Sequence, residues 1–168
     1  MPVEVVRTFL QMTSPSDHRR AEAPGATARI EQVRSCPASY YRYLYSEVGR
    51  RYHWLERLSW SDVELLAHLS QPAITLWVMY VEGAPAGFYE LRGCEDSSVE
   101  VAYLGLLHEY LGRGLGKFLL SDAVDRAWQL GALRVWLHTC TLDDPAALPN
   151  YLKRGFVPFK QETCIAEV

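Results

Sequence analysis

Hydrophobic residues recur along the chain with two spacings, one typical of strands and one typical of helices. Apolar and polar residues alternate over residues 2–12, and residues 28–33 predict a second short strand. A polar, proline- and alanine-rich surface loop is expected between them, over 14–26. β-Branched and aromatic residues predict further strands at 74–81, 86–91, 99–106, 133–139 and 157–165.

Helix signals lie between these strands. Ser35 and Pro37 fit the cap and first turn of a helix that Gly49 would stop. Ser61 and Glu64 have the spacing of a capping box. The four helices are expected from about 36 to 48, from 62 to 69, from 115 to 130, and from Asp144 and Pro145 onward. This order predicts one domain over 1–168, a mixed sheet with helices on both faces.

Composition narrows the classes of function. The 168 residues are 49% hydrophobic, which is enough to bury the core of one domain. The net charge of −3 disfavours a nucleic acid or an anionic membrane surface as a partner. The four cysteines show no zinc-type spacing, so reduced thiols and no metal site are expected. Without a signal peptide or a run of about 20 apolar residues, the protein is expected to be cytoplasmic.

A glycine-rich turn is the strongest chemical signal. Residues 111–116, Leu-Gly-Arg-Gly-Leu-Gly, follow a predicted strand and open a predicted helix, where free N–H groups favour an anion such as a pyrophosphate. A Walker loop fails on spacing, because only three residues separate Gly112 from Gly116 and Lys117, and Phe118 follows. The Rossmann fingerprint would need glycine at 117. An ordinary tight turn before a helix is the alternative interpretation.

The turn is similar to the acyl-coenzyme A loop of the GNAT superfamily of N-acetyltransferases, Gln/Arg-x-x-Gly-x-Gly/Ala, with Gly114 and Gly116 on its glycines. The order of elements resembles that family along the whole chain, although Leu111 stands where Gln or Arg is usual. The resemblance implies an α/β (α+β) fold with a mixed, mostly antiparallel sheet of six to seven strands and about four helices. It also implies acetyl-coenzyme A (acetyl-CoA) as co-substrate. The residues implied to bind it are Leu106 and Leu107 at the pantetheine arm, Leu111, Gly112, Arg113, Gly114, Leu115, Gly116 and Lys117 at the diphosphate, and Asp144.

Two residues are candidates for acid–base catalysis. Glu100 matches the position of a general-base glutamate in some GNAT members, and a carboxylate can take the proton that an amine must lose before it attacks a thioester. The alternative is that Glu100 points from the sheet to solvent. Tyr151 falls on the tyrosine of a segment that resembles the family's closing motif, which implies that it protonates the leaving thiolate; the alternative is a packing role.

The acceptor side is less defined. Aromatic residues concentrate over 40–60, where they form either core or an acceptor pocket, and core is favoured. His108 or His138 with Cys140 would allow a covalent route, which ranks below direct transfer.

The leading hypothesis is an N-acetyltransferase that acetylates a primary amine of a small molecule or peptide in a ternary complex. A non-catalytic acyl-CoA sensor and a nucleotide-phosphate binder are the alternatives. The sequence leaves the oligomeric state open, a homodimer included.

Overall fold

The computed structural model describes residues 1–25 and 27–168. Within them the strands are β1 Pro2–Met12, β2 Ala28–Val33, β3 Ile74–Val81, β4 Ala84–Gly93, β5 Ser98–Leu106, β6 Arg134–Cys140 and β7 Val157–Glu167. They form one sheet in the order β2-β3-β4-β5-β6-β1-β7. The β5–β6 pair is parallel and all other neighbours are antiparallel. The predicted mixed, mostly antiparallel sheet is confirmed.

Four helices occur in the described residues: α1 Ala38–Gly49, α2 Asp62–Leu69, α3 Leu115–Gln129 and α4 Ala147–Lys153. The capping box of α2 forms as predicted, since the Ser61 side chain accepts a hydrogen bond from the N–H of Glu64 at 3.2 Å. The predicted start of α4 at Asp144 is wrong. The Asp144 carboxylate instead accepts from the N–H of Ala146 at 2.8 Å, which holds a turn before the helix.

The helices cover both faces of the sheet, as predicted. On one face, α3 buries Leu119, Leu120 and Val124 against a core that includes Leu91 of β4. On the other face, α1 and α2 bury a second core that contains Tyr41, Leu44, Leu65 and Phe88.

The predicted surface loop contains a short 3-10 turn, Pro15–Asp17, and then runs beside α3. Ala21 donates its N–H to the Ser121 hydroxyl at 2.8 Å, and His18 contacts Asp125 at 3.2 Å. Ala26, the last residue of the predicted loop, lies outside the described residues. Among the helices described, none has the length and apolar character needed to cross a membrane.

The β5–β6 pair separates after a short contact. Parallel pairing covers only Ser98–Arg134, Val99–Val135 and Glu100–Trp136. Beyond Glu100 the two strands diverge, so the backbone of β5 on that side has no neighbouring strand. This divergence opens a cleft in the middle of the sheet.

Candidate active site

The cleft between the diverging strands is a cavity of about 680 Å³. Its walls come from five parts of the chain: the end of β5, the glycine-rich turn with the start of α3, the end of β6, the region leading into α4, and residues 52–56 between α1 and α2. Residues of β1 and β7 complete one side. The sequence separates these segments widely, and the fold brings them together.

The glycine-rich turn requires two of its glycines for backbone reasons. Gly112 and Gly114 have φ of +76° and +75°, in the left-handed region that residues with a Cβ rarely adopt. Gly114 is the N-cap of α3 and no side chain caps this helix. The first N–H groups of α3 have no acceptor within the helix, so the turn presents donors and the positive helix end at the cleft.

Gly116 lies in the first turn of α3 and is free of such strain. A Cβ built there meets only a Leu106 methyl carbon, at 3.8 Å, which is an ordinary contact. The fold itself therefore tolerates a side chain at Gly116. The space above this backbone is left to whatever the cleft binds.

Eight of the ten residues implied to bind acetyl-CoA line the cleft: Leu106, Leu111, Gly112, Gly114, Leu115, Gly116, Lys117 and Asp144. Arg113 does not, because its guanidinium lies over the Tyr110 ring at 5.2 Å. Leu107 does not either. Its side chain is buried in the core of α1, its N–H donates to Ala86 at 2.8 Å, and its carbonyl accepts from Tyr110 at 3.0 Å.

The register of β4 and β5 shows which backbone groups face the cleft instead. Because Leu107 donates to β4, the alternation of an antiparallel ladder turns the N–H and C=O of Leu106 away from β4. The same alternation applies to Leu104, two residues earlier and paired with Tyr89. Leu104 and Leu106 are therefore the two residues whose backbone N–H and C=O groups point away from β4 and towards the cleft. Leu107 is not one of them.

Tyr151 projects from α4 into the cleft. Its residue is only 8% exposed, and its ring packs edge-on against Phe156. Burial, with a smaller effect of the Asp143 carboxylate, raises the pKa of the phenol, so the hydroxyl stays protonated at neutral pH. Pro149 does not break α4, because it is the third residue of the helix, where the backbone N–H would have no helical acceptor.

Glu100 occupies neither of its two expected environments. The residue is buried, 8% exposed, so the solvent-facing alternative is wrong. Its carboxylate accepts from Arg92 Nε at 2.9 Å, and it is not among the residues that line the cleft. The structure therefore does not bring Glu100 into direct contact with the cleft, whereas it does so for Tyr151.

Several cleft residues carry no local signal in the sequence. Tyr52 donates its hydroxyl to Asp144 at 3.2 Å, which joins the segment after α1 to the region before α4. Glu56 accepts from the Tyr103 hydroxyl at 3.3 Å and also lines the cleft. These contacts join residues 92 and 47 positions apart, so only the folded sheet could reveal them.

The aromatic segment divides between the two expected roles. Tyr41 and Tyr45 are buried core residues, as favoured. Tyr45 also reaches the cleft wall, where Trp54 packs against it with ring centroids 5.6 Å apart. Tyr52 lines the cleft as well.

His138 and Cys140 lie at the end of β6 and line the cleft, whereas His108 is exposed and does not. Burial, reinforced by Arg7, lowers the pKa of His138, which favours a neutral imidazole. Burial raises the pKa of the Cys140 thiol, which favours the unreactive protonated form. A covalent route through Cys140 would need the thiolate, which this burial disfavours.

Comparison with known proteins shows that the chain is similar to acetyltransferases. The family described as "Acetyltransferase (GNAT) family" matches residues 31–156. A mycothiol acetyltransferase of Corynebacterium aurimucosum is 31% identical in sequence, over 97% of this chain and 60% of its own length.

Among solved structures, a GCN5-related N-acetyltransferase from Kribbella flavida has a TM-score of 0.69 at 20% identity. The match covers 98% of this chain and 58% of that protein. Another from Sphaerobacter thermophilus has a TM-score of 0.73 at 14% identity, with 98% and 51% covered. The chain thus spans between half and two thirds of the length of these relatives. It belongs to the GNAT acetyltransferase family.

Proposed function

We propose that the protein transfers acetyl from acetyl-CoA to a primary amine of a small molecule or peptide, by direct attack within a ternary complex. The observation that carries this proposal is the placement of a free strand edge beside a glycine-rich helix start. The strand edge offers hydrogen-bond donors and acceptors to an extended arm that contains amides. The helix start offers N–H donors to a diphosphate. An acyl-CoA contains both chemical groups.

The donor would lie along the cleft with its two ends in different places. The pantetheine amides pair with the backbone of Leu104 and Leu106, as an added strand would. The diphosphate sits on the N–H groups of residues 112–117, where Gly116 leaves room for it. Leu111 replaces a polar residue at the start of this turn, which is tolerable because backbone groups make the contacts.

The chemical step needs a donor for the leaving sulfur. The amine nitrogen attacks the thioester carbonyl carbon, the C–N bond forms, and the C–S bond breaks to release a thiolate. Tyr151 supplies the proton or the hydrogen bond that stabilises this thiolate, since its raised pKa keeps the hydroxyl protonated and its ring faces the cleft.

The amine must also lose a proton. The carboxylates of Glu56, Asp143, Asp144 and Glu167 line the cleft, whereas Glu100 does not line it and acts on His138 through space. In this proposal the neutral imidazole of His138 accepts the proton that the amine loses, Glu56 faces the amine beside it, and Glu100 serves as a positioning charge. Replacing Glu100 by glutamine should therefore slow turnover less than replacing Tyr151.

A matched pair of glycine variants tests the donor site. Gly116→Leu fills the space above the α3 backbone, beyond the alanine that the motif admits, but leaves the fold intact, because its Cβ makes only an ordinary contact and leucine is a better helix former than glycine. Calorimetric titration should show acetyl-CoA affinity falling about tenfold or more, with an unchanged or higher Tm. Gly93→Leu, outside the cleft and with only a 3.8 Å contact at its Cβ, is the control and should bind normally. Folded wild-type protein that does not bind acetyl-CoA would refute the proposal.

A thiol-release assay with a panel of amines tests the chemistry. Tyr151→Phe should lower kcat by about 10²-fold or more and leave acetyl-CoA affinity nearly unchanged. Equal kcat in both proteins would remove Tyr151 from the mechanism. Tight acetyl-CoA binding without thiol release for any amine would favour the non-catalytic sensor.

A further inference from the structure

Arg7, on β1 at the acceptor side of the cleft, has one guanidinium nitrogen without a hydrogen-bond partner among the residues described. Its Nε is buried and has no hydrogen-bond partner within residues 1–25 and 27–168. Four other buried side-chain nitrogens share this state, but their residues do not line the cleft, whereas Arg7 does. A buried hydrogen-bond donor without a partner is unfavourable, so the Nε of the half-buried Arg7 is available to an acceptor bound in the cleft, and its positive charge favours an anion there.

The carboxylate best placed to satisfy Arg7 from within the protein is already engaged. Glu162 of β7 lies directly across the strand pair from Arg7. Its carboxylate pairs with Lys160 Nζ at 2.7 Å, and no ion pair between Arg7 and a carboxylate is found in the described part of the chain. The other cross-strand neighbour of Arg7 is Cys140, which is neutral in its protonated form.

Negative charges act on His138 as well as the positive charge of Arg7. Burial and the positive charge of Arg7 lower the pKa of His138, while the carboxylates of Glu100 and Glu56 act in the opposite direction. The cleft wall itself carries both signs of charge, since the guanidinium of Arg7 and the carboxylate of Glu56 both line it, whereas Glu100 pairs with Arg92 and does not.

We propose that the acceptor is an amine that also carries an anionic group, a carboxylate or a phosphate, and that Arg7 binds this group. The planar guanidinium fork matches both anions, and its hydrogen bonds to them are charge-assisted. The carboxylate of Glu56, which lines the same cleft, favours the ammonium end of the molecule. This inference rests on the proposed acetyltransferase function, because it assigns the acceptor of that site.

Binding of product mimics tests Arg7 without any turnover. The protein, loaded with coenzyme A, is titrated with N-acetylglycine, with the neutral N-acetylglycinamide, and with inorganic phosphate. The NMR signal of the buried Arg7 Nε–H, assigned by its loss in Arg7→Gln, should shift with one or both anions and not with the amide. Whether N-acetylglycine or phosphate shifts it more identifies the anion. Absence of any anion-dependent shift, or an equal shift with the amide, would overturn the proposal.

Kinetics with matched amines separates recognition from general damage. Glycine and O-phosphoethanolamine carry an anion, whereas glycinamide and ethanolamine do not. Arg7→Gln should raise KM for the anionic amine by about 10- to 100-fold and leave KM for its neutral partner unchanged, with Arg7→Lys intermediate. An equal loss for both partners would overturn the proposal and make Arg7 structural. Failure of thiol release with every amine would instead refute the proposed function, while the NMR titration still decides the anion site.

Discussion

Replacing Glu90 by glutamine tests a buried ionic cluster that joins the sheet to the segment before α2. Glu90 of β4 is fully buried, and Arg57 is only 9% exposed. One carboxylate oxygen accepts from Arg57 at 2.6 Å and from the Tyr41 hydroxyl at 2.8 Å, and the other lies 3.0 Å from His68 Nε2. Arg57 also stacks over the Tyr103 ring at 4.6 Å. Glutamine keeps the size of the side chain and removes its charge.

The expected loss of stability follows from the charge left behind. Removing one partner of a buried ion pair costs about 3–5 kcal/mol, because the remaining charge is uncompensated. A chain of this length loses roughly 2–4 °C in Tm for each kcal/mol. Glu90→Gln should therefore lower Tm by roughly 6–20 °C.

Thermal and urea unfolding of matched variants measures this loss. The control is Glu31→Gln, which removes the same charge from an exposed pair with Arg29 on β2. That pair should contribute less than about 1 kcal/mol, because water and salt screen it. If Glu90→Gln shifts the midpoint no more than Glu31→Gln, the buried cluster does not stabilise the fold as argued.

The pH dependence of the unfolding free energy is a second test of the same cluster. Burial opposes ionisation of Glu90, but hydrogen bonds from His68 and Arg57 outweigh it, so the pKa of Glu90 is lowered. A lowered carboxyl pKa contributes stability above the unfolded value, about 4.3, and this contribution disappears as pH falls through the folded value. The stability difference between wild type and Glu90→Gln should shrink as pH falls below about 4.

Two further substitutions have expected outcomes of different size and sign. Gly155→Ala should cost more than about 2 kcal/mol in urea unfolding, because φ is +108° and the new Cβ would overlap the Asp17 carbonyl; Gly131→Ala, with φ of +89° and open space, should cost about 1 kcal/mol. Asp122→Asn should leave Tm unchanged or raise it at neutral pH, because burial raises the pKa of Asp122 and ionisation there opposes folding; the asparagine can still accept from Tyr89. A Tm loss with Asp122→Asn as large as that of Glu90→Gln would contradict the distinction between the two carboxylates.

Local patterns predicted most of the fold. The alternation in β1 and the capping box of α2 depend on neighbouring residues, so the sequence alone located them. The glycine-rich turn was also readable, since a left-handed residue before a helix needs glycine. Asp144 misled the prediction of α4 because an aspartate caps a turn and a helix by the same side-chain hydrogen bond.

The register between β4 and β5 determines which backbone groups face the cleft, and the sequence alone could not predict it. The pairing of β4 and β5 shifts between Glu90 and Leu91, where β5 contributes one additional residue near Ala102. An additional residue changes which positions face which side, so the cleft-facing backbone belongs to Leu104 rather than Leu107. The contact of Arg57 with Glu90 of β4 likewise joins residues 33 positions apart in the chain.

The buried cluster also connects stability to the acceptor side of the cleft. Arg57 directly follows Glu56, which lines the cleft, and Arg57 is held to the sheet by Glu90. The glycine-rich turn does not depend on this anchor, because α3 packs on the opposite face of the sheet. Glu90→Gln should therefore raise KM for the amine several-fold at a temperature where the variant is folded, and leave acetyl-CoA affinity unchanged. A parallel loss of acetyl-CoA affinity would mean that the two halves of the cleft are positioned together rather than separately.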